Sequence, residues 1–75
     1  SGSDLISSIV SLVASVFPEE EITEQSSMFD TGSWDSLGHM QVIIALKEEM
    51  NIELSPSHIA EATSIESIAS IIDEA

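Results

Sequence analysis

The chain has 75 residues, 43% of them hydrophobic, and its 14 acidic residues face one base, Lys47, for a net charge of -13. That length makes one small domain with little room for an internal active-site cleft, while the apolar content separates it from acidic disordered chains. The charge excludes nucleic-acid binding through phosphate neutralisation, and the lack of cysteine excludes disulfides and thiolate metal sites.

Residues 1–3 (Ser-Gly-Ser) read as a tag remnant or a disordered terminus, which leaves one domain over 4–75. Residues 4–17 place Leu5, Ile9, Leu12 and Val16 at helical spacing, with Ile6, Val10, Val13 and Phe17 beside them. Ser3 or Asp4 can cap this helix, and Pro18 stops it. The segment lacks the basic region of a signal peptide. The longest unbroken apolar run, 42–46, is too short to cross a membrane.

Residues 18–34 form a long polar connection in which Ile22, Met28 and Phe29 are the expected apolar anchors. A second helix is predicted over 36–50. At ~100° per residue, Val42, Ile43, Leu46 and Met50 share one arc, and Leu37, Met40 and Ile44 form another. The second stripe, flanked by Gln41, Lys47 and Glu48, is either buried in a tight bundle or an exposed docking surface.

Asn51 can close that helix in a left-handed conformation. Ile52 and Leu54 follow in a short extended stretch, and Ser55 or Ser57 starts a brief helix around Pro56, Ile59 and Ala62. Residues 64–73 carry Ile65, Ile68, Ile71 and Ile72 at helical spacing; Ser64 and Ser67 do not complete a capping box, although Thr63 and Glu66 do have that spacing. The sum is an all-α fold: a small four-helix bundle with a short third helix and a long loop between the first two helices.

Asp35-Ser36-Leu37 stands where the loop meets the second helix. A serine there is a helix-start residue at the positive end of the helix dipole. No neighbouring base or third group makes it a nucleophile, so a hydrolase reading fails and the chain is read as no enzyme. His39 falls on the core-side arc and reads as a hydrogen-bonded, partly buried residue, and His58 as an exposed one. Two lone histidines make no metal site. The acids from Asp30 onward fail the calcium-loop test, because Gly32 takes a ligand position and Gln41 the twelfth.

Met28-Phe29-Asp30, then Trp34-Asp35-Ser36-Leu37-Gly38-His39-Met40, then Leu46-Lys47-Glu48-Glu49-Met50 together resemble the acyl carrier protein family, and the likeness runs over 4–73. The resemblance implies that Ser36 receives phosphopantetheine from coenzyme A through a phosphopantetheinyl transferase, with Asp35 on the surface that enzyme reads. It implies docking through Leu37, Met40, Ile44 and Glu48, with Gln41 and Lys47 alongside, onto basic surfaces of acyl-loading, elongating and modifying enzymes. It also implies that Phe29, Val42, Leu46, Leu54, Ile59, Ala62 and Ile65 line the core and a cavity for the acyl chain. Gly38-His39, Gln41 and Lys47 make the docking helix less negative than the familiar fatty-acid carriers, and Trp34 is bulky where a small residue is frequent. These departures look more like a dedicated carrier in polyketide, mixed peptide or surface-glycan assembly, and fatty acid biosynthesis stays among the expected pathways. The alternatives are a peptidyl or aryl carrier of nonribosomal assembly and a small acidic interaction module with no prosthetic group. A cytoplasmic monomer that inserts into no membrane is expected.

Overall fold

The computed structural model describes residues 2–74, with side chains described for 4–74. Ser1 and the side chains of Gly2 and Ser3, where a tag remnant or disordered terminus was expected, lie outside that set. Four helices follow in order: α1 (Gly2–Val16), α2 (Ser36–Met50), α3 (Pro56–Glu61) and α4 (Ile65–Glu74). α1 packs against both α2 and α4, while the short α3 leans on α4. The all-α bundle with a long first loop and a short third helix is therefore the observed architecture.

Burying the apolar face of each helix drives this arrangement, because helices this short do not hold on propensity alone. Ile9, Leu12 and Val13 of α1, with Phe17 just beyond it, meet Val42, Ala45 and Leu46 of α2 and Ile65, Ile68, Ala69 and Ile71 of α4 in one core. α1 starts at Gly2, so Asp4 stands in the first turn, where its charge favours the dipole, and not at the cap. α2 ends at Asn51, whose φ of 57° and ψ of 37° are left-handed, and its N–H reaches the Leu46 carbonyl. α3 starts at Ser55, with Pro56 in the first turn. His58, expected to be exposed, is half-buried in this helix.

The capping of α4 differs from the sequence reading. Ser64 and Ser67 cap it reciprocally: each backbone N–H donates to the other's Oγ at 3.0 Å. A hydroxyl at the third helical position can do what Glu or Gln does in the usual box, so Thr63 and Glu66 are not needed for it.

The long loop is pinned at several points. Met28 N–H donates to the Thr63 carbonyl at 2.8 Å, and Ile65 N–H donates to the Ser26 carbonyl at 3.1 Å. Nearer the site, Ser33 N–H donates to a Glu20 carboxylate oxygen at 2.9 Å. Ile22 and Met28 pack against the core as anchors, but Phe29 does not: it is 85% exposed. Its neighbours explain why. Phe29 N–H is held by Ser27 Oγ and Ser27 N–H by Asp30 Oδ1, a local turn that aims the ring outward. The anchor that sequence reading missed is Trp34, which is fully buried. Its ring lies 6.1 Å from that of Phe17 and 6.2 Å from that of His39.

Two consequences are measurable. Phe29→Ser should change stability by less than about 0.5 kcal/mol in urea unfolding, as for other surface changes, and a loss above that would place the ring in the core. The Ser27 N–H also holds the Asp30 carboxyl below the usual carboxylate range. Its stabilising contribution is thus complete above the unfolded pKa of about 4 and is lost as pH falls through the lower folded value. Asp30→Asn should flatten the acid limb of the stability profile below about pH 4; an unchanged limb would contradict this.

Candidate functional site

Ser36 occupies the first turn of α2, and the residues around it have separate tasks. Asp35 is the N-cap: its backbone is extended, and Oδ1 accepts the Gly38 N–H at 2.8 Å. That bond satisfies one of the unpaired donors at a helix start. Ser36 is itself exposed, and its hydroxyl has no hydrogen-bond partner among the described residues. The side chain is presented to solvent at the positive end of the helix.

Gly38 sits at the tightest point of the site. A Cβ there would stand 2.3 Å from the Ser33 carbonyl oxygen and 2.9 Å from a ring carbon of Phe17. Only glycine lets the loop cross so close to the first turn of α2. By sequence alone this residue is only a departure in the docking helix; its role follows from a backbone contact that spacing does not reveal.

His39 turns into the protein and is 7% exposed. Its Nδ1 accepts the Trp34 Nε1–H at 3.0 Å, which leaves Nε2 to donate to the Ile59 carbonyl at 2.7 Å. Both ring nitrogens are committed, so His39 does not serve Ser36 as a base. The expectation of a hydrogen-bonded core histidine agrees with this geometry. The same two bonds tie three pieces together: the end of the loop, the start of α2, and α3.

The outer arc of α2 holds the expected docking residues. Leu37, Met40 and Ile44 are 72%, 46% and 53% exposed, so the second stripe is open and not buried in a tight bundle. With Ser36, Gln41, Lys47 and Glu48, also exposed, they share an arc of roughly 140° at the α-helical repeat. The Lys47 Nζ lies 3.9 Å from a Glu53 carboxylate oxygen with both side chains mostly in water, so the pair adds little stability.

The residues expected to line a cavity divide three ways. Val42, Leu46, Ala62 and Ile65 are fully buried and packed into the core. Leu54 and Ile59 are half-buried, and Leu54 opens with Ile43, Ile44 and Lys47 onto a surface groove of about 320 Å³. Phe29 lies outside the core, as its turn requires. Among the described residues no group of three or more His, Cys, Asp or Glu could hold a metal ion, and no helix is long and apolar enough to cross a membrane.

Comparison with known proteins matches residues 4–72 to the family described as phosphopantetheine attachment site. The chain is similar to an acyl carrier protein of Buchnera aphidicola subsp. Baizongia pistaciae, 37% identical over 54 residues, covering 72% of this chain and 69% of that one. It is also similar to a chloroplastic acyl carrier protein of Brassica napus, 29% identical over 69 residues, covering 92% of this chain and 51% of that one. The chain thus spans about two thirds of the first relative and half of the second. The exposed hydroxyl at the start of α2 fits such a group: it is accessible, unengaged and placed where an anion is favoured.

The tight passage at Gly38 is open to test. A helix interior gains up to ~1 kcal/mol when glycine becomes alanine, but here the new methyl meets a backbone carbonyl. Gly38→Ala should therefore destabilise by about 1–3 kcal/mol, against about 1 kcal/mol for loss of the cap in Asp35→Ala. A more stable Gly38→Ala variant in urea unfolding would refute the close approach.

Proposed function

This chain belongs to the acyl carrier protein family, and from that premise we propose that Ser36 is the residue that receives its phosphopantetheine. The family works as carriers, not enzymes, and the prosthetic group is covalent. When bound, the group supplies a thiol that carries an acyl chain as a thioester. The observation that carries the assignment is the exposed Ser36 hydroxyl on the first turn of α2, bordered by a capping Asp35 and a committed His39.

The chemistry at Ser36 follows from what surrounds it. Its Oγ takes the phosphopantetheinyl group of coenzyme A as a phosphodiester, and adenosine 3′,5′-bisphosphate leaves. The proton lost from Oγ goes to a base of the transferase, since both ring nitrogens of His39 are engaged in the core. The new phosphodiester stands at the helix N-terminus, where the dipole and first-turn N–H groups stabilise an anion.

Leu37, Met40 and Ile44, rimmed by Gln41, Lys47 and Glu48, are the docking face in this reading. Partners are the transferase and acyl-handling enzymes whose surfaces are basic, as the charge of -13 favours. Lys47 and Gln41 interrupt the acidic field on this helix, which supports a dedicated carrier of a specialised acyl pathway over general fatty acid synthesis. The small cysteine-free domain supports work in the cytoplasm. An acyl chain has two routes to shelter. It lies in the groove beside Leu54, or it enters among Val42, Leu46, Ala62 and Ile65 after α3 parts from α2.

The test is intact-protein mass after incubation with coenzyme A and a broad-specificity phosphopantetheinyl transferase. One phosphopantetheine should be gained by the wild type and none by Ser36→Ala. Equal gain by both would move the attachment elsewhere. No gain in either, with a control carrier labelled in the same tube, would favour an acidic interaction module using the same stripe.

A further inference from the structure

Two grooves flank the exposed face of α2, and they differ in position and chemistry. One, beside Leu54, begins at Ile43, seven residues and ~10 Å along the helix from Ser36. The other, about 340 Å³, runs between the end of α1 and the first turns of α2. Asp35 and Leu37, the neighbours of Ser36 in sequence, both line it. Val16, Phe17, Glu19 and Gln41 line it as well. Its size is at the small end of the roughly 300–1,000 Å³ of ligand clefts.

We propose that this α1–α2 groove is the resting site of the unloaded pantetheine arm on Ser36, an inference that rests on the attachment reading above. The arm consists of a gem-dimethyl group, a secondary hydroxyl, two amides and a thiol. The groove offers a counterpart to each of these except the thiol. Val16, Phe17 and Leu37 supply apolar surface for the methyl groups. The Gln41 side-chain amide can both donate to and accept from an arm amide, and the Glu19 and Asp35 carboxylates accept from an N–H or the hydroxyl. The same two carboxylates repel anions, so the phosphodiester stays at the mouth and an acidic cargo is turned away. The groove beside Leu54, with four aliphatic residues in its wall, is left for apolar cargo. Gly38 forms part of the floor, where the absence of a Cβ keeps the Phe17 ring close to the helix.

The test uses the holo protein, after its mass shows one added phosphopantetheine. Amide and side-chain shifts between apo and holo forms should cluster at Val16, Phe17, Glu19 and Gln41, with contacts from the gem-dimethyl protons to Leu37 and the Phe17 ring. Gln41→Trp, at an exposed position that leaves the core untouched, should fill the groove and raise the reaction rate of the arm thiol with Ellman's reagent by about fivefold, the scale of one net hydrogen bond. Shifts confined to Ile43, Ile44 and Leu54, or an unchanged thiol rate in folded Gln41→Trp, would overturn the groove while leaving Ser36 in place. A missing mass gain would instead remove the Ser36 assignment, and the groove proposal with it.

Discussion

A buried hydrogen-bond chain from Trp34 through His39 to the Ile59 carbonyl is the constraint on which the site depends. The bonds measure 3.0 and 2.7 Å, and they join segments that packing alone leaves loosely related. α3 contributes no fully buried residue of its own, so a bond from α2 to its backbone matters more than its size suggests. At the other end, Trp34 anchors a loop that is mostly polar. An imidazole with one accepting and one donating nitrogen is the side chain that can join an indole N–H to a carbonyl in one step. The cost of leaving either group unpaired in the core enforces the geometry.

That constraint divides α2 into two faces with different duties. Val42, Ala45 and Leu46 face inward with His39, and Gly38 lets the loop press against the first turn. Everything on the opposite arc is then available: the Ser36 hydroxyl, the stripe of Leu37, Met40 and Ile44, and the charges beside them. A carrier needs this division. Its reactive group must reach into another protein's active site, so the attachment point belongs on a rigid, exposed edge. Bond-making is delegated to partners, and the histidine three residues from Ser36 is fastened inside by both ring nitrogens. A small acidic domain can then approach many basic surfaces quickly and leave them again, since surface charge accelerates encounter more than it deepens affinity.

Much of this was legible in the chain itself, where local chemistry decides. The 36–50 helix with Asn51 at its close could be read from spacing and a left-handed-tolerant residue, and so could its two apolar stripes. The helix start at Asp35 and Ser36 was visible for the same reason. Contacts between distant segments were not. Phe29 and Trp34 are both aromatics in the same loop, and periodicity cannot rank them. A turn built by Ser27 and Asp30 puts one in water, and an indole N–H with a partner five residues away puts the other in the core. The Ser64–Ser67 cap escaped because the usual rule names longer side chains. Gly38 read as a departure because its reason is the carbonyl of Ser33, not its neighbours on the helix.

Nitrogen-15 NMR of the Trp34 indole and the His39 imidazole tests that chain of bonds most directly. The indole N–H should be protected from solvent exchange to nearly the extent of the most stable helical amides. The imidazole should carry its proton on Nε2, with Nδ1 acting as acceptor. A rapidly exchanging indole, or a His39 ring carrying its proton on Nδ1 alone, would contradict the link and leave both the loop and α3 without the anchor described.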